Sequence, residues 1–456
     1  MEQFDVLVIG GGPGGYLAAE RASQAGLSAA LIEKRALGGT CLNEGCIPTK
    51  SLLYCAKQYG AVTHGKAYGV HAESTEYAHA EAVARKDQVV KRLVRGVSST
   101  MKLNRVTVYN AEGRVLGKNA DGLFEAEAGE ARLCARYLIL ASGSTAAVPP
   151  IEGMQEALAS GFVMTNREIL DLTQLPKTLC CIGGGVIGLE MACYFASIGV
   201  KVVVVEMLPK IAGNTDPEIC ELLMKTYKKQ GMEFHLSAGV RAIRGNSVVY
   251  ADADGVHEVE CDRVLLAAGR RAMTQGLGLE TLGVRTERGA IVTDEHMQTN
   301  VPGVSAVGDC NGRLMLAHAA YRQAEVAVHH ICGVSDSVED SVVPSVIYTT
   351  PEVACAGLNE DEARASGHNI RTVKVPMLYS GRFVAENDRG EGFCKLVYDA
   401  DEDRLVGVQM IGSYVSEMIC GAAMMIQLRL PLEQLKKIVF PHPTVAEVVR
   451  EGLFML

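Results

Sequence analysis

The sequence predicts an α/β protein in which one strand–turn–helix unit occurs twice, followed by a separate α+β domain. Three observations lead there. A glycine-rich turn follows an apolar strand run at Gly10 and again at Gly183, and each turn opens a helical pattern. Each turn has an acid 23 residues beyond its first glycine, Glu33 and Glu206. From about residue 341 the pattern changes to strand-like runs at 342–348, 393–398 and 405–411, with helical patterns at 414–428 and 445–453.

The first unit begins with the strand run Phe4-Asp-Val-Leu-Val-Ile9. The turn Gly10-Gly11-Gly12-Pro13-Gly14-Gly15 follows, then the helical pattern Tyr16–Ala22, which stops near Gly26. A second apolar run, Ala29–Ile32, ends at Glu33. The second unit repeats this as Leu179–Ile182, Gly183-Gly184-Gly185-Val186-Ile187-Gly188, Leu189–Ala196, Gly199 and Val202–Val205. Gly10 to Gly26 and Gly183 to Gly199 are both 16 residues. One G-x-G-x-x-G is a weak signal, but a matched pair with acids about 20 residues on predicts two dinucleotide-binding, Rossmann-like modules. The first glycine allows the tight turn, the second lets a pyrophosphate approach the backbone, and the third lets helix pack on strand. The phosphates then meet the free N–H groups and positive end of the helix, and the acid accepts from ribose hydroxyls. Two further strands end in glycine, at Leu138–Ser144 (with Ser142 and Gly143) and Leu265–Arg270 (with Gly269). Each could return a strand end beside a nucleotide.

Composition excludes several classes. The chain has 456 residues, 48% apolar and 21% charged, so it is long enough for about three domains and is neither disordered nor fibrous. Its net charge of −9, without a basic run, argues against nucleic-acid or anionic-membrane binding. No apolar stretch approaches the roughly 18 residues of a membrane helix. The acidic start Met1–Asp5 runs straight into a strand, which predicts no targeting leader and a cytoplasmic protein. Most of the 14 cysteines, such as Cys180, Cys181 and Cys193, lie in apolar segments and read as core. A disulfide in such a chain is more often catalytic than structural.

One cysteine pair stands apart, in Gly38-Gly39-Thr40-Cys41-Leu42-Asn43-Glu44-Gly45-Cys46-Ile47-Pro48-Thr49-Lys50. Five residues of regular helix mean about 7.5 Å of rise and about 140° of rotation. A bond between the two requires a distorted turn, which Gly45 permits. So small a loop contributes little entropically, so its value would be reversible chemistry. Spacing alone leaves open two unrelated buried thiols.

At these residues the chain resembles the flavin-dependent pyridine nucleotide–disulfide oxidoreductases, and within them the dihydrolipoamide dehydrogenase branch. The carriers are the two glycine motifs, Gly38–Lys50, Val307-Gly308-Asp309, Met315-Leu316-Ala317-His318, Pro344–Thr349 and His442-Pro443-Thr444-Val445-Ala446-Glu447. They span essentially the whole chain. The resemblance implies an FAD-binding domain with a redox disulfide over 1–147, an NAD-binding domain over 148–270, a central domain completing the FAD site over 271–340, and a C-terminal interface/dimerisation domain over 341–456. FAD would contact Gly10, Gly12, Gly15, Glu33, Lys34, Gly39, Thr40, Lys50, Gly113, Ser142, Gly143, Ser144, Asp309, Met315, Leu316, Ala317 and His318. NAD would contact Gly183, Gly185, Val186, Ile187, Gly188, Glu190, Glu206, Val240 and Gly269. Lys50 and Glu190 resemble the family's ion pair beside the flavin. Cys41 would exchange with the substrate, Cys46 would face the flavin, and His442, oriented by Glu447, would be the base. The implied protein is a homodimer whose sites are completed across the interface. It would oxidise dihydrolipoamide on a lipoyl-bearing protein of a multienzyme complex, a 2-oxo acid dehydrogenase or glycine cleavage complex.

On spacing alone His442 reads as a loop histidine between two prolines, and Thr444-x-x-Glu447 as a capping box opening the last helix. Ser142, Thr350, Phe440 and Ala272 depart from the branch's usual threonine, two histidines and proline, which bears on the substrate channel. A glutathione-reductase-like enzyme would favour NADPH and an arginine pair after the second strand, where Glu206-Met-Leu-Pro-Lys210 stands. A mainly structural flavoprotein subunit is a third reading, which retention of Cys41, Cys46 and His442 opposes.

Overall fold

The computed structural model describes residues 1–388 and 390–456. It is a mixed α/β protein with parallel sheets in its dinucleotide-binding modules and an antiparallel C-terminal sheet. The chain forms two compact units: Met1–Ser51, Glu81–Ala147 and Gly269–Asp340, and Leu52–Ala80, Val148–Ala268 and Ser341–Leu456.

In the first unit, strand Glu2–Ile9 lies between Ala29–Ile32 and Ala131–Leu140, parallel to both. Thr107–Tyr109 extends this sheet on one side, and Val304–Ala306 adds a parallel strand against Ala131–Leu140. Gly113–Lys118 and Phe124–Ala128 continue it as an antiparallel meander. Val6, Leu7 and Val8 are 0% exposed, because the central strand of such a sheet is covered on both faces. Burial of each such side chain contributes about 1.5–3 kcal/mol. The helices Pro13–Gln24 and Ala317–Ile331 pack on each other over one face, with Ala18, Ala19, Ala22, Ala324 and Ala327 keeping the approach close.

The second unit holds a parallel sheet in the order Glu233–His235, Lys201–Val205, Thr178–Ile182, Arg263–Leu266, Val163–Met164. A three-stranded antiparallel sheet, Gly239–Arg244, Ser247–Asp252 and Gly255–Glu260, accompanies it. The C-terminal sheet runs Ser345–Ile347, Glu352–Gly357, Arg404–Gly412, Phe393–Asp399, Ile370–Pro376. Helices Val415–Gln427 and Glu447–Met455 pack on it. Three of these five strands match the expected runs. Glu352–Gly357 and Ile370–Pro376 were not expected: the first is rich in alanine and glycine, and the second carries Arg371 and Lys374, so neither shows a strong strand pattern. Within this unit Lys395, 4% exposed, reaches Asp216 at 2.8 Å and Glu218 at 2.6 Å, tying the helix Pro217–Lys229 to the C-terminal sheet.

Candidate active site

Both glycine turns carry the conformation that their sequence implies. Gly10 and Gly183 have φ of 107° and 109°, which residues with a side chain rarely adopt. A Cβ on Gly15 would stand 1.7 Å from the Gly10 carbonyl oxygen, and one on Gly188 would stand 2.1 Å from that of Gly183. Here helix must touch strand, so no side chain fits. The middle glycines differ. A Cβ on Gly12 would have its nearest neighbour at 3.8 Å, the Gly39 Cα, and one on Gly185 would meet no atom of the described residues within 4 Å. Gly12 and Gly185 are the N-caps of Pro13–Gln24 and Val186–Ser197, and neither helix has a side-chain cap. The free N–H groups therefore face open space, a cradle for an anion.

The two acids occupy equivalent positions. Glu33 accepts from the Gly11 N–H at 2.7 Å and the Arg35 N–H at 2.7 Å. Glu206 accepts from the Gly184 N–H at 2.5 Å and the Leu208 N–H at 2.7 Å. Each carboxylate is thus fixed by its own turn, with lone pairs left for a diol.

Around the first cradle, the chain gathers most of the expected flavin-side residues in one unit. A Cβ on Gly39 would lie 2.6 Å from the Gly12 Cα, so the helix Gly39–Glu44 starts directly against the turn. Ser144 donates its hydroxyl to the Asp309 carboxylate, and Ser142 donates to the Met273 carbonyl at 2.6 Å. A Cβ on Gly143, whose φ is 77°, would meet no atom of the described residues within 4 Å, so this position is open. Gly113 packs its Cα face against Ile9 and Ile32 at the strand tips. Leu316 is the N-cap of the helix whose first turn holds Ala317 and His318, with Met315 just before it. Lys34 lies outward in an exposed ion pair with Glu112 at 3.1 Å.

One residue that sequence reasoning passed over is Arg270. It donates to the Ser144 hydroxyl at 2.7 Å and carbonyl at 2.8 Å, reaches the Thr40 hydroxyl at 3.5 Å, and lies 3.9 Å from Asp309. The strand Arg270–Ala272 pairs with Ser144–Ala146, which brings this cation in. Pairing between residues 126 apart leaves no local signal in a sequence.

The cysteine pair has the distorted turn that its spacing requires. Helix Gly39–Glu44 ends at Gly45, with φ −147° and ψ −106°, and a new helix, Cys46–Thr63, starts at once. Cys41 and Cys46 stand as thiols in hydrogen-bonding contact. The contact with Cys46, followed by burial, pushes the Cys41 thiol far above its ordinary range; nearby Lys50 opposes this and Asp309 adds to it. Cys41 therefore holds its proton in the reduced pair.

In the second unit, Glu190 is 4% exposed and accepts from the Tyr348 N–H at 2.9 Å. Val186 and Ile187 form the first turn beside the second cradle. Val240 is half-buried at the start of the three-stranded sheet. Gly269, which belongs to the first unit and follows the strand Arg263–Leu266 in the chain, has φ 102°. His442 is exposed, and its Nδ1 lies 2.8 Å from Glu447 Oε1. Glu447 Oε2 accepts from the Thr444 N–H at 2.9 Å. The capping box is only half made: Thr444 donates its hydroxyl to the Pro441 carbonyl at 2.8 Å, and the helix N-cap is Ala446. The Thr444 N–H and then His442 hold the Glu447 carboxyl below its usual range, so it is a steady acceptor for the imidazole.

Residues 4–324 match the family model described as pyridine nucleotide-disulphide oxidoreductase, and residues 343–453 match its dimerisation domain. The chain is 36% identical to a dihydrolipoyl dehydrogenase of Bacillus subtilis, over 99% of this chain and 97% of that protein. It is 38% identical to dihydrolipoyl dehydrogenase 3 of Pseudomonas aeruginosa, again over 99% and 97%. Among solved structures, the HOCl-induced flavoprotein disulfide reductase RclA of Escherichia coli superposes with a TM-score of 0.86 at 26% identity, covering 99% of this chain and 100% of that one. The chain belongs to the pyridine nucleotide-disulphide oxidoreductase family, a family of flavin enzymes that implies FAD and NAD(P), and its C-terminal domain supports a homodimer. The residues fit these groups: two open cradles at capless helix ends, each with a backbone-anchored carboxylate, are what two dinucleotides require.

Proposed function

We propose, from family membership and the arrangement around Cys41, that the chain is a dihydrolipoamide dehydrogenase working with NAD. The observation that carries this reading is the helix break at Gly45, which sets Cys41 and Cys46 in contact beside the first dinucleotide cradle. Full-length identity of 36–38% with dihydrolipoyl dehydrogenases supports the substrate.

In the oxidised enzyme the pair is a disulfide. A substrate thiolate attacks Cys41 Sγ, the Cys41–Cys46 bond breaks, and its electron pair stays on Cys46. The second substrate thiol then attacks the first substrate sulfur, closing the cyclic disulfide and releasing Cys41. His442 of the partner subunit removes the proton from the attacking thiol, since imidazole titrates in the needed range. Bound FAD supplies the route by which the electron pair passes on to the nicotinamide. Asp309, Ser144, Thr40, Lys50 and the first cradle would hold the flavin nucleotide. Glu206 and the Gly183 turn would hold NAD, with Glu190 and Val240 in the same unit. The lipoyl group belongs to another protein of a 2-oxo acid dehydrogenase or glycine cleavage complex.

The test is substitution of each cysteine. Cys41→Ser and Cys46→Ser should each lower dihydrolipoamide oxidation by at least a thousandfold, while flavin absorbance stays normal. Turnover near that of the parent in both variants contradicts the redox-pair assignment. The likeness to RclA favours one second reading, a reductase of other disulfides or oxidants working from NAD(P)H.

A further inference from the structure

Gly184, in the middle of the second glycine turn, has both of its backbone groups taken by one loop. Glu206, which opens that loop, accepts from the Gly184 N–H at 2.5 Å, and the Ala212 N–H donates to the Gly184 carbonyl at 2.8 Å. A Cβ on Gly184 would stand 3.2 Å from Ile211 Cγ2 and 3.3 Å from Glu206 Cβ, so the loop also covers its Cα. Ile211 and Ala212 are buried, and Ala212 holds φ 61°. A residue with a side chain keeps that left-handed conformation only where its surroundings fix it. The loop 206–216 therefore backs the second cradle, while Gly185 on the other side of Gly184 faces open space.

The far end of this loop is held by residues of the C-terminal domain, which lies in the same unit. Two residues past Ala212, the Asn214 carbonyl accepts from Asn359 Nδ2 at 3.0 Å. Asn359 is buried and is the N-cap of Glu360–Ala365, where its Oδ1 accepts from the Glu362 N–H at 2.9 Å. One side chain thus caps a helix with its oxygen and ties the loop with its nitrogen. Two residues further on, Asp216 Oδ2 accepts from Lys395 Nζ at 2.8 Å, and both side chains are buried. Asp216 Oδ1 accepts from the Glu218 N–H at 2.9 Å and so caps Pro217–Lys229. Separating two buried charges is costly, so this end of the loop has one position.

We propose that Asn359 and Lys395 are positioning residues for the nicotinamide nucleotide: through the loop 206–216 they hold Gly184 and Glu206 in the geometry that receives its pyrophosphate and ribose. This role rests on the reading of the second module as the NAD site. A cradle held from behind is ordered before its ligand arrives, so binding does not have to supply that ordering. With the tethers cut, the loop must be ordered at the moment of binding, and affinity falls. Selectivity falls with it. A fixed Glu206 carboxylate repels a 2′-phosphate, whereas one on a loose loop can swing aside. The dithiol half of the reaction is untouched, because Cys41 and Cys46 belong to the first unit and the tethers to the second.

The experiment uses the flavin-loaded enzyme and two variants. Asn359→Ser keeps an oxygen that caps Glu360–Ala365 but cannot reach the Asn214 carbonyl. Asp216→Asn combined with Lys395→Met removes the ion pair without leaving either of its charges alone, and asparagine still caps Pro217–Lys229. Calorimetric titration with ADP-ribose and with its 2′-phosphate reads the cradle without any redox step. Each variant should bind ADP-ribose about three- to tenfold more weakly, the range of one lost hydrogen bond. The preference for ADP-ribose over its 2′-phosphate should narrow. KM for NAD should rise by the same factor as the ADP-ribose Kd, while flavin content and KM for dihydrolipoamide stay within about twofold of the parent. Parent-like ADP-ribose binding in both variants overturns the proposal. So does an equal rise in KM for NAD and for dihydrolipoamide, which is a general loosening of the fold. If one variant loses its flavin, the other decides by the same titration. A parent enzyme that does not bind ADP-ribose removes the reading of the NAD site itself; a parent that binds it beside unchanged variants removes only the tethers.

Discussion

His442 and Glu447 show how one acid can serve two partners. One carboxylate oxygen takes the imidazole Nδ1 and the other takes the Thr444 N–H, so the ring is oriented by a group that the backbone anchors. Because Glu447 titrates below the ordinary carboxylate range, its hold on the imidazole persists through neutral pH and weakens only as pH falls through that lowered value. His442→Gln should lower dihydrolipoamide oxidation by at least about 10², the usual effect of losing a general base. Flavin content and flavin reduction by NADH should stay normal; a variant with unimpaired dithiol turnover returns His442 to a loop role. Glu206 makes a second prediction. Its carboxylate, held by the Gly184 and Leu208 N–H groups, accepts from ribose hydroxyls but repels a 2′-phosphate. Like-charge contact costs several kcal/mol, so kcat/KM should favour NAD over NADP by at least about tenfold. Comparable values for the two cofactors would show that Glu206 does not read the ribose. Glu206 was legible because its spacing from Gly183 is local, whereas His442 and Glu447 were singled out by the family resemblance, since spacing alone reads them as a loop histidine and a capping box. Arg270 was not legible, since 126 residues of chain separate it from Ser144.

At the scale of elements, the glycine turns separate what folding needs from what a ligand needs. Gly188 has no room for a Cβ, whereas Gly185 has open space in front of it. Gly188→Ala should therefore destabilise the second module and lower expression or thermal stability, by at least the 1–3 kcal/mol typical of overpacking. Gly185→Ala should leave the unfolding midpoint within a degree or two of the parent yet raise KM for NAD about tenfold or more, because its methyl group enters the pyrophosphate cradle. Equal effects of the two substitutions on stability, with KM unchanged, would show that Gly185 does not line a cradle. Both helices and their strands were visible in the sequence, since strand, turn and helix are consecutive. Two C-terminal strands were not, because Glu352–Gly357 and Ile370–Pro376 are defined by the neighbours they pair with rather than by their own alternation. The capping box expected at Thr444 is half made: Glu447 accepts from the Thr444 N–H, while the Thr444 hydroxyl donates to the Pro441 carbonyl.

The whole molecule combines two nucleotide modules, a thiol pair at a broken helix and a C-terminal domain of dimerisation type, which places the chain among the disulfide oxidoreductases. RclA shares the architecture at a TM-score of 0.86 with 26% identity, so the fold alone does not fix the substrate. Among the described residues no helix is long and apolar enough to cross a membrane. On the proposed function the electron pair travels from dihydrolipoamide to NAD. Its most direct measurement is an anaerobic assay of the purified flavoprotein with free dihydrolipoamide and NAD, run beside oxidised glutathione with NADPH. Rapid NADH formation is expected in the first reaction, with kcat at or above the common enzyme range of about 1–10³ s⁻¹, and no more than a trace of NADPH consumption in the second. Negligible NADH formation, with brisk reduction of glutathione or of another oxidant by NAD(P)H, would contradict it.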